Sequence, residues 1–583
     1  MARPGEDHIG TEMGWTKFRI IPARAFKKIL YGIFIWTCLC YAVFRITNHK
    51  GAVTYLTARV NRGLLQNVQS MQALAAAGAV VGNANEFPTT SPPVNQDNPS
   101  GSRTPGIPQN FLDLEPQVDN SPALNEKQLL TLLANHSNLP LAYWSANKNR
   151  PIGSKSCVKF PSLYELDFNN IYWQRLQTSN GTYYLYGAYY DNRWRAGSVP
   201  IVRILGMVDR IKPIPTICQL WFDKKKTVAF SQATYTYAWY SKWGNYKDGI
   251  LQPFVISCKV PPKESGGQVP TSVSLVENRC DKPTTNLRIL NERPKKKEDF
   301  AVCVKGLDFL HEDLSVRLVE WLELLNILGA KKVFLYELEI HPNISKVLHY
   351  YQKEGLVQLT PLTLPGNQPN LPGFRHLYLK SKLTHKRQNE LIPYNDCLYR
   401  NLYSYEYVVL LDIDEIIMPV KFESWSELMK EVVQQALKEK NYTRASYNVR
   451  NVYFLDDLQD GDDLHHEAHE QGIPRYLHMF QHVYRSKNFT KPGSYVKCFH
   501  NTERVVSLHN HFPLNCLGTC TTFSINTSLA QLQHYRKDCV GSLKNSCKTD
   551  FRLYTLKDTT IWRYKDEAIK RTTRTLSKLG FFS

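Results

Sequence analysis

An apolar strand that ends in carboxylates constrains this chain more than any other feature. The run from Tyr405 to Pro419 reads YEYVVLLDIDEIIMP. Its first part, Tyr407 to Leu411, is continuously β-branched and aliphatic, which is typical of a strand buried on both faces of a parallel sheet. Because apolar residues resume at Ile416, Asp412 and Asp414 are confined to the end of a buried strand.

These two carboxylates predict a metal site. In extended chain, residues i and i+2 project to the same side, so Asp412 and Asp414 are expected to point together while Ile413 faces the core. Two neighbouring, desolvated anions are unfavourable unless a cation lies between them. Carboxylate oxygens suit Mg²⁺ or Mn²⁺, and an ion with two protein ligands keeps positions open for a substrate diphosphate. The alternative is a solvated turn, and the apolar flanks favour the metal.

Composition indicates a large globular protein with a basic surface. The chain has 583 residues, of which 43% are hydrophobic and 12% aromatic, enough for two or three domains. Its formal charge of +20 comes from basic residues interleaved with 52 acids, which favours anionic substrates and argues against nucleic acid. The basic run Arg293 to Lys297 is interpreted as a hydrophilic linker rather than a nuclear signal.

The N-terminus predicts a membrane anchor. Ile29 to Phe44 carries no charge, follows Lys27 and Lys28, and as a helix would span roughly 24 Å. A cleaved signal peptide is the alternative, but small residues suited to cleavage do not follow the apolar run. We expect a cytoplasmic tail over 1–28, an uncleaved anchor over 29–46 and a C-terminal part in the secretory lumen.

Potential N-glycosylation sites also indicate a lumenal location. Six asparagines are followed two residues later by Ser or Thr without an intervening Pro. These are Asn135, Asn180, Asn343, Asn441, Asn488 and Asn526.

The cysteine count fits an oxidising compartment. Of the 13 cysteines, Cys38 and Cys40 lie in the predicted anchor, and the odd remainder leaves at least one unpaired within the chain. The pairing cannot be deduced from the sequence. A zinc site is the alternative for the four cysteines nearest the C-terminus, but they lack paired C-x-x-C spacing, so disulfides are favoured. These four are Cys516, Cys520, Cys539 and Cys547.

Two regions of different composition precede the acidic strand. Residues 47–138 are predicted to be a stalk, disordered where Pro, Ser, Asn and Gly dominate. Residues 139–295 contain short aromatic and β-branched stretches between turn residues, which predicts a β-rich, sandwich-like domain. The clearest of these stretches are Tyr183–Tyr190, Val199–Leu205, Pro215–Phe222 and Phe254–Val260.

Residues 296–583 alternate between strand and helix. Strands are predicted at Ala301–Val304, Lys332–Tyr336 and Leu356–Leu359 before the acidic strand, each separated from the next by a helical pattern. Such alternation predicts an α/β domain with a mostly parallel sheet and right-handed crossovers. Ligands of these sheets bind at the carboxyl ends of the strands, where Asp412 and Asp414 fall.

Several motifs in this region resemble those of glycosyltransferase family 92. The motifs are CVKGLDF, NDCLYRN, LLDIDEIIMP and HYR, within about Ala301 to Arg536, and YYDNR followed by IVRIL is similar to the family's preceding region. The resemblance implies a GT-A fold and a metal-dependent, inverting transferase. It implies UDP-galactose as donor, a β-1,4 linkage, a fucosylated or other N-glycan as acceptor, Mn²⁺ or another divalent cofactor, and a type II Golgi membrane protein. A homodimer is a further expectation.

The resemblance also suggests roles for individual residues. Asp412 and Asp414 would bind the metal, with His509 as third ligand and His511 as the alternative. The nucleotide sugar would contact the same aspartates together with Lys305, His534 and Arg536. Asp456 is the candidate base for the acceptor hydroxyl. Its competitors are Asp457, Asp462, Asp463, Glu467 and Glu470.

Two other functional classes remain open. A transferase fold without turnover would be a lumenal glycan-binding or scaffold protein, and its carboxylates could still bind metal. A nucleic-acid binder would account for the charge and predicts steeply salt-dependent retention. A zinc protease is excluded because the chain offers His466-Glu467-Ala468-His469 and not His-Glu-x-x-His.

Overall fold

The computed structural model describes residues 128, 138–141, 156–223, 228–459, 467–539 and 541–582. All of them lie in one compact unit, residues 120–583. The predicted tail and anchor lie outside the described residues, as does most of the stalk. Among the residues that are described, no helix is long and apolar enough to cross a membrane.

A nine-stranded β-sheet makes up the first part of the fold. Its strands are β1 (Phe168–Asn170), β2 (Trp173–Thr178), β3 (Gly181–Asp191), β4 (Ile201–Val208), β5 (Ile217–Trp221), β6 (Ala229–Tyr237), β7 (Gln252–Lys259), β8 (Ser272–Val276) and β9 (Leu287–Leu290).

This sheet is a closed barrel and not the predicted sandwich. The strands follow one another in the order β3-β4-β7-β6-β5-β8-β9, and β9 pairs with β3 in parallel, which closes the ring. The closing contacts join Ala188 to Ile289 and Tyr189 to Leu290. The sandwich prediction is wrong because the strands of both architectures alternate inward and outward residues alike. Only the pairing of the first and last strands distinguishes them.

The second part of the fold is mixed α/β. Its largest sheet has seven strands in the order β12-β11-β10-β13-β18-β15-β21, and a three-stranded sheet has the order β14-β22-β16. The strands of this part are β10 (Glu298–Phe309), β11 (Lys332–Ile340), β12 (Val357–Pro361), β13 (Tyr405–Leu410), β14 (Glu415–Pro419), β15 (Ser446–Val449), β16 (Asn451–Leu455), β17 (Tyr484–Ser486), β18 (Lys497–Asn501), β19 (Val505–His509), β20 (Phe512–Cys516), β21 (Thr522–Ser524), β22 (Ala530–Arg536) and β23 (Thr555–Lys557).

The four predicted strands of this part are confirmed, and so is their direction. β12, β11, β10 and β13 are neighbours and run parallel, whereas β18 pairs antiparallel with both β13 and β15. Helices connect the parallel strands. The described helices are α1 (Pro262–Ser265), α2 (Ser315–Leu328), α3 (Pro342–Lys353), α4 (Pro372–Ser381), α5 (Leu383–Asn389), α6 (Leu391–Asn401), α7 (Trp425–Glu439), α8 (His478–Gln481), α9 (Lys544–Ser546) and α10 (Lys565–Lys578).

Local sequence explains why these helices begin and end where they do. In α2, Leu318, Trp321 and Leu325 are buried at helical spacing, and the helix ends at Gly329, whose φ of 109° favours glycine. Pro393 lies in the first turn of α6, where its missing N–H costs no hydrogen bond.

A buried aspartate joins the barrel to the α/β part. Asp396 on α6 accepts hydrogen bonds from the hydroxyls of Tyr189 on β3 and Tyr336 on β11, the latter at 2.6 Å. Arg400 Nε donates to the same carboxylate at 2.7 Å. Since all of these partners satisfy one fully buried charge, the two parts share a polar junction within one apolar core.

A second buried network lies at the end of β3. Asp191 is fully buried and accepts from Arg193 Nε at 2.9 Å and from Arg203 Nε at 3.0 Å. Arg193 Nη1 also donates to the carbonyls of Thr502 and Val505 at 2.6 Å each. This network ties the barrel to the loop that precedes β19.

Five disulfides confirm the interpretation of the cysteines. The bond Cys303–Cys397 joins β10 to α6, and the four C-terminal cysteines form two short-range disulfides and no zinc site. Cys498 is the unpaired cysteine among the described residues, and it is buried. The remaining pairs are Cys157–Cys280 and Cys218–Cys258.

The glycosylation asparagines remain predictions, although most are accessible. Asn343 is half-buried, and its amide donates to Asp313 Oδ2 at 2.6 Å. Asn135 lies outside the described residues. The exposed ones are Asn180, Asn441, Asn488 and Asn526.

Replacing Asp191 with alanine should destabilise the fold strongly. The change leaves Arg193 and Arg203 buried without their anion, which costs about 3–5 kcal/mol. Urea unfolding of the full-length protein measures the loss. Asp167→Ala is the control, because its pair with Arg175 is partly exposed and should cost less than about 1 kcal/mol. Equal losses in the two variants would contradict the assignment.

Acid should remove the contribution of Asp191 in the wild type. Burial disfavours its ionised form, but Arg193 and Arg203 outweigh burial and lower its pKa to about 2. A carboxylate with a lowered pKa stabilises the fold above its unfolded pKa of about 3.9. This stability is lost as pH falls towards 2. In the Asp191→Ala variant, the free energy of unfolding should therefore fall less over this pH range than in the wild type.

Candidate functional site

A cleft of about 700 Å³ opens where β10 and β13 end. This is the carboxyl edge of the parallel strands, the position at which open α/β sheets bind ligands. The cleft brings together nearly all the residues that the sequence singled out. These are Lys305, Asp412, Asp414, Asp456, His534 and Arg536.

The loop between β13 and β14 is a tight turn and not extended chain. Glu415 N–H donates to the carbonyl of Asp412 at 3.1 Å, and Asp412 N–H donates to Glu415 Oε2 at 3.0 Å. The expectation of extended chain at Asp412 and Asp414 is therefore wrong, although both residues line the same cleft. The turn gives each carboxylate partners of its own.

Asp412 is held between two lysines. Its oxygens lie 2.8 Å from Lys305 Nζ and 3.2 Å from Lys497 Nζ. Lys497 also lies 2.8 Å from Glu415 Oε2, and its side chain is fully buried. Burial opposes the ionisation of Asp412, but Lys305 and then Lys497 hold its pKa well below the usual value. Asp412 is therefore a fixed anion that orients Lys305 at the wall of the cleft.

Asp414 faces the open cleft together with His534. Asp414 Oδ2 lies 3.3 Å from His534 Nε2, and 40% of the Asp414 side chain is exposed. β14 and β22 pair Glu415 with His534, which sets this distance, and the His534 ring stacks on Tyr453. Burial disfavours the charged histidine, but Asp414 and Glu415 outweigh it and raise the pKa of His534.

This pair fits a hard divalent ion. Two neighbouring ligands of an octahedral ion bound at about 2.1 Å lie roughly 3 Å apart, close to the separation of Asp414 Oδ2 and His534 Nε2. Asp412 is already paired with ammonium groups, so Asp414 and His534 are the better ligand set than the two predicted aspartates. An ion held by two protein ligands leaves room for phosphate oxygens.

His509 does not line the cleft. Its ring packs against Trp243, with centroids 4.4 Å apart, and against Phe512 at 5.1 Å. Burial among these rings lowers its pKa to about 3. The prediction that His509 is a metal ligand is not supported, because the β19–β20 hairpin turns it into an aromatic cluster with the barrel. His511 Nδ1 lies 2.9 Å from the carbonyl oxygen of Val496.

Asp456 lies at another wall of the cleft beside two histidines. Its Oδ1 is 3.1 Å from His482 Nε2 and 3.6 Å from His478 Nε2. The hydrogen bond from His482 is the main reason that the pKa of Asp456 is lowered. Glu320 Oε1 accepts the backbone N–H of Met479 at 2.8 Å and thereby fixes the start of α8.

Most competitors of Asp456 have other partners. Asp457 lies 2.7 Å from Arg552 Nε, and Glu467 is paired with Lys557. Asp462 and Asp463 lie outside the described residues. Asp456 is thus the best placed of the predicted carboxylates to face an acceptor.

Basic side chains make the cleft attractive to an anion. Lys305 and Arg536 are joined there by three basic residues that the sequence had not singled out. These are Arg317, Lys386 and Lys537.

Three further residues, which contact Asp412 or Asp456, were not singled out from the sequence. Lys497 contributes from β18, and no local pattern connects it to Asp412. His478 and His482 carry a signal that could have been recognised, because residues four apart share one face of a helical turn. That spacing occurs in HMFQH.

Lys497→Met should cost more stability than Lys305→Met. The first variant leaves Asp412 and Glu415 buried next to each other without their shared cation, which costs about 3–5 kcal/mol. Lys305 is 29% exposed and leaves Asp412 still paired with Lys497, so its loss should be smaller. Urea unfolding of both variants tests the difference, and a reversed order would refute the bridging role of Lys497.

Comparisons with known proteins agree with the motifs. Residues 298–572 match the model of glycosyltransferase family 92. No curated protein matches the chain. Among solved structures, the apo structure of the WbbM bifunctional glycosyltransferase is 9% identical with a TM-score of 0.15. That match covers 38% of this chain and only 36% of WbbM, and it is too weak to define the fold. Residues 298–572 therefore form a glycosyltransferase domain of family 92.

Proposed function

We propose that this protein is a metal-dependent, inverting glycosyltransferase that uses a nucleoside diphosphate sugar. The observation that supports it is a cleft, within the family 92 region, that is lined by Asp414 and His534 together with several basic side chains. The donor UDP-galactose, the β-1,4 linkage and a fucosylated N-glycan acceptor are proposed from the family resemblance alone. The basic surface of the cleft is consistent with any nucleoside diphosphate sugar.

The strand order supports a GT-A fold for residues 296–583. β12, β11, β10 and β13 lie in the spatial order 3-2-1-4 of the parallel strands, which is typical of nucleotide-binding α/β folds. The order of the parallel strands reverses between β10 and β13, beside the cleft. This is where a nucleotide is expected to bind.

Lys305 and Arg536 are proposed to bind the diphosphate. Lys305 is oriented by Asp412, and Arg536 Nη1 lies 3.5 Å from His534 Nε2. Asp414 and His534 would hold Mn²⁺ or another divalent ion, which when bound neutralises charge on the leaving diphosphate. The fixed positions of these groups stabilise the charge that develops as the glycosidic bond breaks.

Asp456 is proposed to be the base. The acceptor hydroxyl oxygen attacks the anomeric carbon, the bond from that carbon to the diphosphate oxygen breaks, and its electron pair leaves with the diphosphate. The hydroxyl proton passes to Asp456, whose lowered pKa keeps it ionised and ready to accept. His482 orients the carboxylate through its hydrogen bond.

The location of the protein is proposed from the sequence. The segment 29–46, which is uncharged from Ile29 to Phe44, would anchor it in the Golgi membrane with residues 47–583 in the lumen. The disulfides of the described residues fit this compartment.

Asp414→Asn and His534→Ala should abolish transfer and weaken Mn²⁺ binding. Each change removes one of the two proposed ligands that face the cleft. The measurement is a screen of nucleotide sugars against a panel of N-glycans with Mn²⁺ present, read by product mass. His349→Ala is the control, because that histidine is exposed on α3. Donor binding without product in the wild type would favour the scaffold alternative.

Asp456→Asn should lower kcat by about 10²–10⁴-fold, because loss of a general base costs that much. The adjacent Asp457→Asn is a matched control, since Asp457 pairs with Arg552 and does not line the cleft. The Mn²⁺ requirement should be unchanged in both variants. A normal kcat in Asp456→Asn would eliminate Asp456 as the base.

A further inference from the structure

A second group of potential metal ligands lies at the acceptor wall of the cleft. The ligand atoms of Asp456, His478 and His482 all lie within 4.8 Å of one another. Two histidines and one carboxylate form a ligand set that suits a divalent transition ion. A second close group consists of Asp538, Cys539 and Cys547. Its two cysteines form a disulfide and therefore offer no thiolate to a metal.

The hydrogen bonds of His482 leave a nitrogen available for a metal. His482 Nδ1 lies 2.6 Å from the carbonyl oxygen of His478, so Nδ1 carries the proton that it donates there. Nε2 shares a hydrogen bond with Asp456 Oδ1 at 3.1 Å, and an ion bound between these two atoms would replace that hydrogen. Metal-binding histidines usually donate their other N–H to a carbonyl or carboxylate in this way.

The Nε2 atom of His478 has no hydrogen-bond partner among the described residues. This atom is buried. It lies 3.6 Å from Asp456 Oδ1, too far for a hydrogen bond. A buried ring nitrogen is normally satisfied, so this atom indicates a missing ligand.

The distances match a metal with short bonds. Ligands at about 2.0–2.1 Å in a tetrahedral zinc site lie roughly 3.3 Å apart, between the two separations measured from Asp456 Oδ1. His478 is the first residue of α8 and His482 follows its last residue, and their ring centroids lie 4.1 Å apart. The Glu320 carboxylate accepts the backbone N–H of Met479 and so holds the start of this helix. Little movement is needed to bind an ion.

We propose that Asp456, His478 and His482 form a second metal site, which binds Zn²⁺ and keeps one position open towards the cleft. Asp456 and His478 line the cleft, so the open position is accessible to water or a hydroxyl oxygen. The site is separate from Asp414 and His534. It prefers Zn²⁺ to Mn²⁺ because two of its three ligands are imidazoles.

Occupation of this site has a consequence for the reaction, and this part rests on the proposed function. An ion bound to Asp456 takes the electron pair that would accept the acceptor proton. Zn²⁺ should therefore inhibit transfer that Mn²⁺ supports.

The test is zinc binding by the full-length protein after chelator treatment. Zn²⁺ affinity is measured by competition with a chromophoric chelator, and the d–d absorption of bound Co²⁺ reports the ligand set. His478→Ala and the isosteric Asp456→Asn should each weaken Zn²⁺ binding by more than about 100-fold, because each ligand carries a comparable share of the binding free energy. His349→Ala should bind Zn²⁺ like the wild type.

The outcomes separate this proposal from the proposed function. Equal Zn²⁺ affinity in the wild type, His478→Ala and Asp456→Asn would overturn the site, as would the absence of binding in the wild type. Zinc inhibition that disappears in His478→Ala would support both the site and the role of Asp456. If the wild type binds Zn²⁺ with the expected variant pattern but is not inhibited, the site stands and Asp456 is not the base.

Discussion

The buried ammonium group of Lys497 determines the shape of the site. It satisfies Asp412 and Glu415 at once, at 3.2 and 2.8 Å, in a place that water does not reach. An unpaired anion there would be strongly unfavourable, so the turn after β13 can be buried only because β18 runs beside it and supplies the cation. The same turn directs Asp414 away from Lys497 and into the cleft.

Only some of the motifs that carry the family resemblance contribute residues to the cleft. In NDCLYRN, Asp396 satisfies three buried donors and Cys397 forms a disulfide, and neither residue lines the cleft. In YYDNR, Asp191 neutralises two buried arginines. Both networks connect the barrel to the α/β part. The glycosyltransferase domain therefore includes contacts from residues outside the matched region.

The sequence predicts those structural features that depend on residues close together along the chain. The strand periodicity gave the four parallel strands and placed Asp412 and Asp414 at a carboxyl edge. Features that depend on pairing between residues far apart in the sequence could not be predicted. Barrel closure needs the β3–β9 pairing, and the choice between His509 and His534 needs the β14–β22 register. His509 follows an apolar run as a ligand would, yet a hairpin and two tryptophans of the barrel enclose it.

The two sides of the cleft are joined by one pair of strands. β16 runs parallel to β22, with Tyr453 beside His534 and Leu455 beside Arg536. Asp456 follows directly, so at about 3.3 Å per residue it lies roughly 10 Å along the strand from the level of His534. That distance is too long for one ion with bonds of about 2 Å to reach both. It leaves room for a phosphate at one end and a hydroxyl at the other, so the backbone hydrogen bonds of a single strand pair keep the donor side and the acceptor side apart.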